Sequence, residues 1–211
     1  MPGTIFRLFA VSIAFMSFCG LGTVSARQVK PHAVARKAIF NDPEAPVGGN
    51  PKGDVTIVAF EDYNCTNCKA SEPALQKLVK DDGHIRLVYK DWPIFGKTSV
   101  YGAEIALAAK YQGKYVAAHD VLMKIPGTGV SKTRMDQALR AAGIDLDRLN
   151  KDLKAHREEI RALIKRNTAQ ATGMGYEGTP VFLIGPYNVN AVLDYAGFKK
   201  FVTQARAGEG K

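Results

Sequence analysis

From Val55 to Phe60 the chain reads VTIVAF, almost wholly apolar and rich in β-branched side chains. This is the pattern of a strand covered on both faces. A short turn follows, and then KASEPALQKLVK places Leu75, Leu78 and Val79 on one face of a helix that carries Pro73 inside it. HIRLVYKDWP alternates through Ile85, Leu87 and Tyr89 and predicts a second strand. Strand, helix and strand in that order imply parallel pairing through a right-handed crossover.

From about 97 to 174 the period changes to that of helices. SVYGAEIALAAKYQGKYVAAHDVLMK predicts two helices broken near Gly113, and SKTRMDQALRAAG starts on Ser131 and stops on Gly143. Leu146, Leu149, Leu153, Ile160, Leu163 and Ile164 continue at helical spacing. Strand character returns in GTPVFLIG, with NVNAVLD as its hairpin partner, and YAGFKKFVTQAR forms a last amphipathic helix through Phe198, Phe201 and Val202. The helical block is therefore an insertion between strands of one α/β unit covering residues 54–205. Residues 27–53 are an approach segment rich in turn formers, with a short helix after Pro31, and residues 206–211 are a tail that frays.

The first residues change the chemical setting. Arg7 is the only charged side chain before Arg27, and the apolar run LFAVSIAFMSFCGLG between them ends in small residues at Val24 and Ala26. That is the form of a secretory signal peptide over residues 1–26, cleaved after Ala26, with a run too short to span a bilayer. Export to the periplasm is the expected localisation. Bulky Phe18 argues against lipid attachment at Cys19, so Cys19 leaves with the peptide. The chain carries 29 Lys and Arg against 20 Asp and Glu, a net charge of +9. The basic residues are spread out without a run, which predicts a solvated surface and no nucleic-acid partner.

Of three cysteines, only Cys65 and Cys68 remain after cleavage. In an oxidising compartment a disulfide closing so short a loop adds little stability. Zinc would need about four ligands, and His84, His119 and His156 are scattered singly, so no metal is expected. A redox pair is the favoured reading. At a helix N-terminus Cys65 meets free backbone N–H groups and the positive end of the dipole, which favour the thiolate. Cys65 is expected to be the exposed attacking sulfur and Cys68, one turn on, the shielded resolving one. Glu61 and Asp62 just before the pair are candidate proton relays for Cys68, with capping of the turn as the alternative. His119 and Trp92 read as core or groove residues.

Four motifs in order resemble the DsbA-type branch of the thioredoxin superfamily: FEDYNCTNCK at Phe60–Lys69, Pro73 eight residues after Cys65, YKDWPIFG at Tyr89–Gly96, and GTPVFLIG. The resemblance covers nearly all of the chain from Asp54 to Val202. It implies a thioredoxin-like fold with a central mixed β-sheet and an inserted helical subdomain. It implies a cis Pro180 lying against the pair, with Thr179 facing a substrate chain. It implies a thiol–disulfide oxidoreductase that exchanges the Cys65–Cys68 disulfide with free thiols of secreted client proteins, without a cofactor. A membrane or periplasmic redox partner would then reoxidise the pair. Thr66 and Asn67 depart from members that carry a histidine between the cysteines, which predicts a weaker oxidant. An isomerase or reductase on the same fold is the nearest alternative, since isomerase-type relatives often carry threonine before the proline. The approach segment is too short for the dimerisation domain of such relatives, so a monomer is expected. A binding module or chaperone with a static disulfide is the remaining alternative.

Overall fold

A computed structural model describes residues 31–208. The expected leader and its cleavage site lie outside the described residues, as do residues 209–211 of the expected tail. In chain order the elements before the cysteines are α1 (Pro31–Phe40), β1 (Val47–Gly49) and β2 (Val55–Glu61). Helix α2 (Thr66–Asp82) and β3 (Ile85–Asp91) follow. Five helices come next: α3 (Lys97–Ala109), α4 (Tyr115–Met123), α5 (Lys132–Ala141), α6 (Leu146–Ala155) and α7 (Arg157–Gly173). The chain closes with β4 (Val181–Ile184), β5 (Tyr187–Val189) and α8 (Tyr195–Ala207).

The sheet has the order β1-β3-β2-β4-β5. Strands β2 and β3 are parallel and in register from Val55↔Ile85 to Glu61↔Asp91, as the crossover through α2 requires. Strand β4 is antiparallel to β2, and β5 turns back antiparallel on β4. The sheet is thus mixed. Strand β1, antiparallel to β3, falls in the segment expected to be turns. Its sequence, Val-Gly-Gly, has little strand propensity, and pairing with β3 supplies the order that local sequence does not.

Alternation along β2 explains the apolar run. Ile57 and Ala59 face a core shared with α2, the inserted helices and α8. Val58 and Phe60 face a second cluster with Ile39 of α1, Val88, Trp92 and Ala171 of α7. Each fully buried side chain of this size contributes about 1.5–3 kcal/mol relative to exposure. Leu107, Leu139, Leu149 and Ile160 of the inserted helices belong to the first cluster, so the insertion has no separate core. The stretch read as continuous helical spacing from Leu146 divides at His156, whose ring stacks on Tyr111 at 3.7 Å. Helix α8 runs through Ala207, two residues into the segment expected to fray. Arg206 holds it there with ion pairs to Asp54 at 2.8 Å and Asp82 at 2.6 Å.

Candidate active site

The C-terminal end of β2 delivers Glu61 and then a tight turn to Cys65. Asp62 builds that turn. Its Oδ1 accepts the N–H of Asn64 at 2.7 Å, and its Oδ2 accepts those of Ile94 and Phe95 at 2.7 and 3.2 Å. Both oxygens are occupied in tying the turn to the loop after β3. Buried Asn64 fastens the same turn to the inserted helices. It accepts the Val130 N–H at 2.7 Å and donates to the hydroxyls of Thr98 and Ser99 at 3.1 and 3.2 Å. This role for Asn64 was not anticipated from sequence.

Cys65 is the N-cap of α2, and its Sγ accepts the backbone N–H of Cys68 at 3.2 Å. On its other side the thiol donates to the Thr179 carbonyl at 3.3 Å. The Thr179–Pro180 peptide is cis. The structure therefore brings Cys65, Cys68 and the Thr179–Pro180 loop together, although the loop lies more than a hundred residues along the chain. Cys65 was expected to be exposed, and here the structure differs: Cys65 is 3% accessible and Cys68 is fully buried. The Thr179 carbonyl and the first turn of α2 cover the first sulfur, leaving Thr66 and Asn67 as the exposed members of the motif.

The two sulfurs are electrostatically unlike. Cys65 has its pKa lowered to about 6, first by the hydrogen bond from the Cys68 thiol. The backbone N–H groups of Cys68 and Asn67 assist, against the opposing effect of burial. Burial, followed by the hydrogen bond to Cys65 and the charge of Glu61, pushes the Cys68 thiol far up. One sulfur is poised as a thiolate near neutral pH, and the other is held as a thiol.

Behind the pair lies a buried polar cluster. His119 Nε2 is 3.1 Å from Glu72 Oε1 and 3.9 Å from Glu61 Oε2, and its Nδ1 is 3.1 Å from the Tyr63 hydroxyl. Gln76 donates to Glu72 at 2.7 Å, and the Tyr115 hydroxyl donates to Asp91 at 2.9 Å. Glu61 has no hydrogen-bond partner on either carboxylate oxygen. Burial, then the charges of Glu72 and Cys65, raise its pKa well above the usual range. Burial also opposes charge on Glu72 and His119, but their mutual attraction outweighs it. Glu72 is lowered and His119 raised. Burial therefore opposes charge on Glu61, whereas mutual attraction favours charge on the Glu72–His119 pair. Ligand-capable atoms of Glu61, Glu72 and His119 lie within 4.8 Å of one another, the one such group among the described residues.

Sequence reasoning placed His119 in the core or groove and passed over Glu72. The signal was present: Glu72 lies four residues after Cys68 and three before Leu75, on the apolar stripe of α2, and His119 lies between Tyr115 and Leu122 on that of α4. An ionisable residue inside such a stripe asks for a partner.

Outside the pair, a groove of about 500 Å³ runs between α2 and the end of α4, bordered by Thr66, Lys69, Pro73, Met123 and Pro126. Ile94 and Phe95, on the loop held by Asp62, are 37% and 52% exposed. No helix among the described residues is long and apolar enough to cross a membrane.

A C-x-x-C pair opening a helix beside a cis-proline loop, on a mixed sheet of this order, defines a redox protein of the thioredoxin superfamily. Residues 41–204 match the family described as Thioredoxin, and the chain belongs to it. A thioredoxin-like oxidoreductase from Silicibacter pomeroyi DSS-3 is 41% identical, with a TM-score of 0.76 over 82% of this chain and 98% of its own. The thiol-disulfide exchange protein alpha-DsbA2 from Wolbachia pipientis is 28% identical, with a TM-score of 0.76 over 81% of this chain and 92% of its own. The Na(+)/H(+) antiporter NhaA 3 of Salinispora tropica is 31% identical over 178 residues, 78% of this chain. The chain spans about a quarter of that relative's length, 26%.

Proposed function

We propose that this protein is an exported thiol–disulfide oxidoreductase that passes the Cys65–Cys68 disulfide to thiols of secreted proteins in the periplasm. The observation that carries the reading is the placing of the two sulfurs: Cys65 caps α2, accepts the Cys68 N–H and meets the Thr179–Pro180 loop, while Cys68 is fully buried behind it. A client thiolate attacks Cys65 Sγ, the bond to Cys68 breaks, and its electron pair leaves on Cys68 Sγ. A second client thiolate then attacks the client sulfur, forming the client disulfide and releasing Cys65 as the stabilised thiolate. The Thr179–Pro180 loop, whose carbonyl already lies 3.3 Å from Cys65 Sγ, is the backbone edge against which the client chain is held. Glu61 is the acid that exchanges a proton with Cys68; its unpartnered oxygens and its burial support that role. A redox partner in the membrane or periplasm restores the disulfide. The protein acts as a monomer, needs no cofactor, and has no nucleic-acid partner.

Isomerase or reductase activity is the second reading, favoured by Thr179 before the proline. A single-turnover experiment separates them: the oxidised protein is mixed with a peptide dithiol, and scrambled ribonuclease and insulin are offered to the reduced protein. Stoichiometric oxidation of the peptide with little activity on the other two supports the proposal. Rapid insulin reduction or ribonuclease unscrambling without peptide oxidation would overturn it in favour of the second reading.

A further inference from the structure

We propose that His119 is the positioning cation of the proton-exchange step, lying between Glu72 and Glu61 and stabilising Glu61 as it passes a proton to Cys68. This rests on the oxidoreductase reading above and assigns a residue that the reading did not use. When the Cys65–Cys68 bond breaks under attack, the electron pair lands on a sulfur that is fully buried. A thiolate there is strongly disfavoured by burial. The proton of the neutral Glu61 carboxyl moves to Cys68 Sγ, leaving a mixed disulfide on Cys65, a Cys68 thiol and a Glu61 carboxylate. The buried charge has moved from sulfur to carboxylate, and it still needs a counter-ion.

His119 is the only basic group within ion-pair distance of Glu61 among the described residues, with Nε2 at 3.9 Å from Oε2. The same nitrogen sits 3.1 Å from Glu72 Oε1. Nε2 thus lies between the two carboxylates, so that Glu61, on losing its proton, faces the imidazole that already holds Glu72. Nδ1 is held by the Tyr63 hydroxyl at 3.1 Å. The rings of Tyr89 and Tyr63 lie 4.6 and 5.5 Å from the imidazole and pack it in place.

The charged and titratable groups around the ring come from every element packed on it. Strand β2 and its turn supply Glu61 and Tyr63; α2 supplies Glu72 and the two cysteines. Strand β3 supplies Tyr89 and Asp91, and α4 supplies Tyr115 and Asp120, with Lys124 just beyond facing Glu72 and Asp120. Asp91 and Asp120 also favour charge on His119. Glu72 acts on Glu61 in the opposite sense to His119, because a neighbouring carboxylate disfavours a second one. That opposition gives a test by sign.

The measurement is the titration of the Glu61 carboxyl carbon by NMR in the oxidised protein, where no thiol titrates. His119→Gln should move its midpoint to higher pH, and Glu72→Gln should move it to lower pH. Packing damage alone would not give opposite shifts. In the wild type, the nitrogen shifts of His119 should report an imidazolium at pH 7, and this needs no variant to fold. Single-turnover transfer to a peptide dithiol, corrected for client thiolate, should slow by at least about tenfold in His119→Gln and recover in His119→Lys. Unchanged Glu61 titration, shifts of the same sign, or a neutral His119 in the wild type would overturn the assignment. Opposite shifts in a protein that transfers no disulfide would overturn the oxidoreductase reading, and the step with it. An unmoved Glu61 in a protein that transfers normally would overturn the role of His119 alone.

Discussion

Replacing Cys68 by alanine removes the hydrogen bond that does most to hold Cys65 as a thiolate, whereas serine keeps a donor at the same place. Cys65 titrates at about 6, against 9.0 for an unperturbed cysteine. A lowered acid pKa stabilises the folded reduced protein above the ordinary value, and the contribution disappears as pH falls through about 6. The full shift is worth about 4 kcal/mol above pH ~9 and about 1.4 kcal/mol at pH 7. For a two-electron couple, the value at pH 7 raises the potential by about 30 mV. A hydrogen bond to a charged group contributes about 1.5–3 kcal/mol, so Cys68→Ala should raise the Cys65 pKa by about one to two units. Cys68→Ser should leave it near the wild-type value. Ultraviolet thiolate absorbance against pH, checked by the pH dependence of alkylation at Cys65, reads both variants. Equal values in alanine and serine variants, or a wild-type Cys65 near the ordinary cysteine value, would refute the account of how this thiolate is stabilised.

Asn67→His should set a partly charged imidazole beside Cys65, stabilise the reduced form and raise the potential; glutathione titration of wild type and variant checks it, and a fall would show that asparagine already serves the thiolate better. Cys68→Ala should accumulate mixed disulfides with exported proteins and Cys65→Ala should not; equal trapping on non-reducing gels would undo the division of roles. On the far face, burial opposes charge on Asp42, but hydrogen bonds from Arg166 and Lys90 outweigh it and hold the pKa at about 2. That pairing contributes about 2 kcal/mol above pH ~4, lost as pH falls through about 2. Asp42→Asn leaves Lys90 buried without its partner and should cost about 3–5 kcal/mol at pH 7 by urea unfolding. The gap should narrow toward pH 2; a constant difference across that range would contradict the ion-pair explanation.

What could be read along the chain follows the range of the interactions. The run VTIVAF, the Ser131 cap and the C-x-x-C at the start of a helix are local, and each appears where the spacing places it. Strand β1 could not be read, because its order comes from β3 some forty residues away. The exposure of Cys65 was misjudged for the same reason: the Thr179 carbonyl that covers it is 114 positions distant. Glu72 and His119 are separated by 47 positions, and only the packing of α4 on α2 makes them a pair. Asp62 and Glu61 look alike as neighbours in sequence, yet Glu61 closes β2 and faces His119, while Asp62 opens the turn and binds the loop backbone.

The equilibrium potential of the Cys65–Cys68 pair against glutathione at pH 7 tests the central claim most directly. A pair working in disulfide exchange should titrate reversibly with two electrons, above the thioredoxin value of about −270 mV. With Thr66 and Asn67 between the cysteines, it should lie below the strongest oxidants at about −120 mV. A potential below about −300 mV, or a pair that does not exchange with glutathione at all, would make it a static structural disulfide and contradict the account.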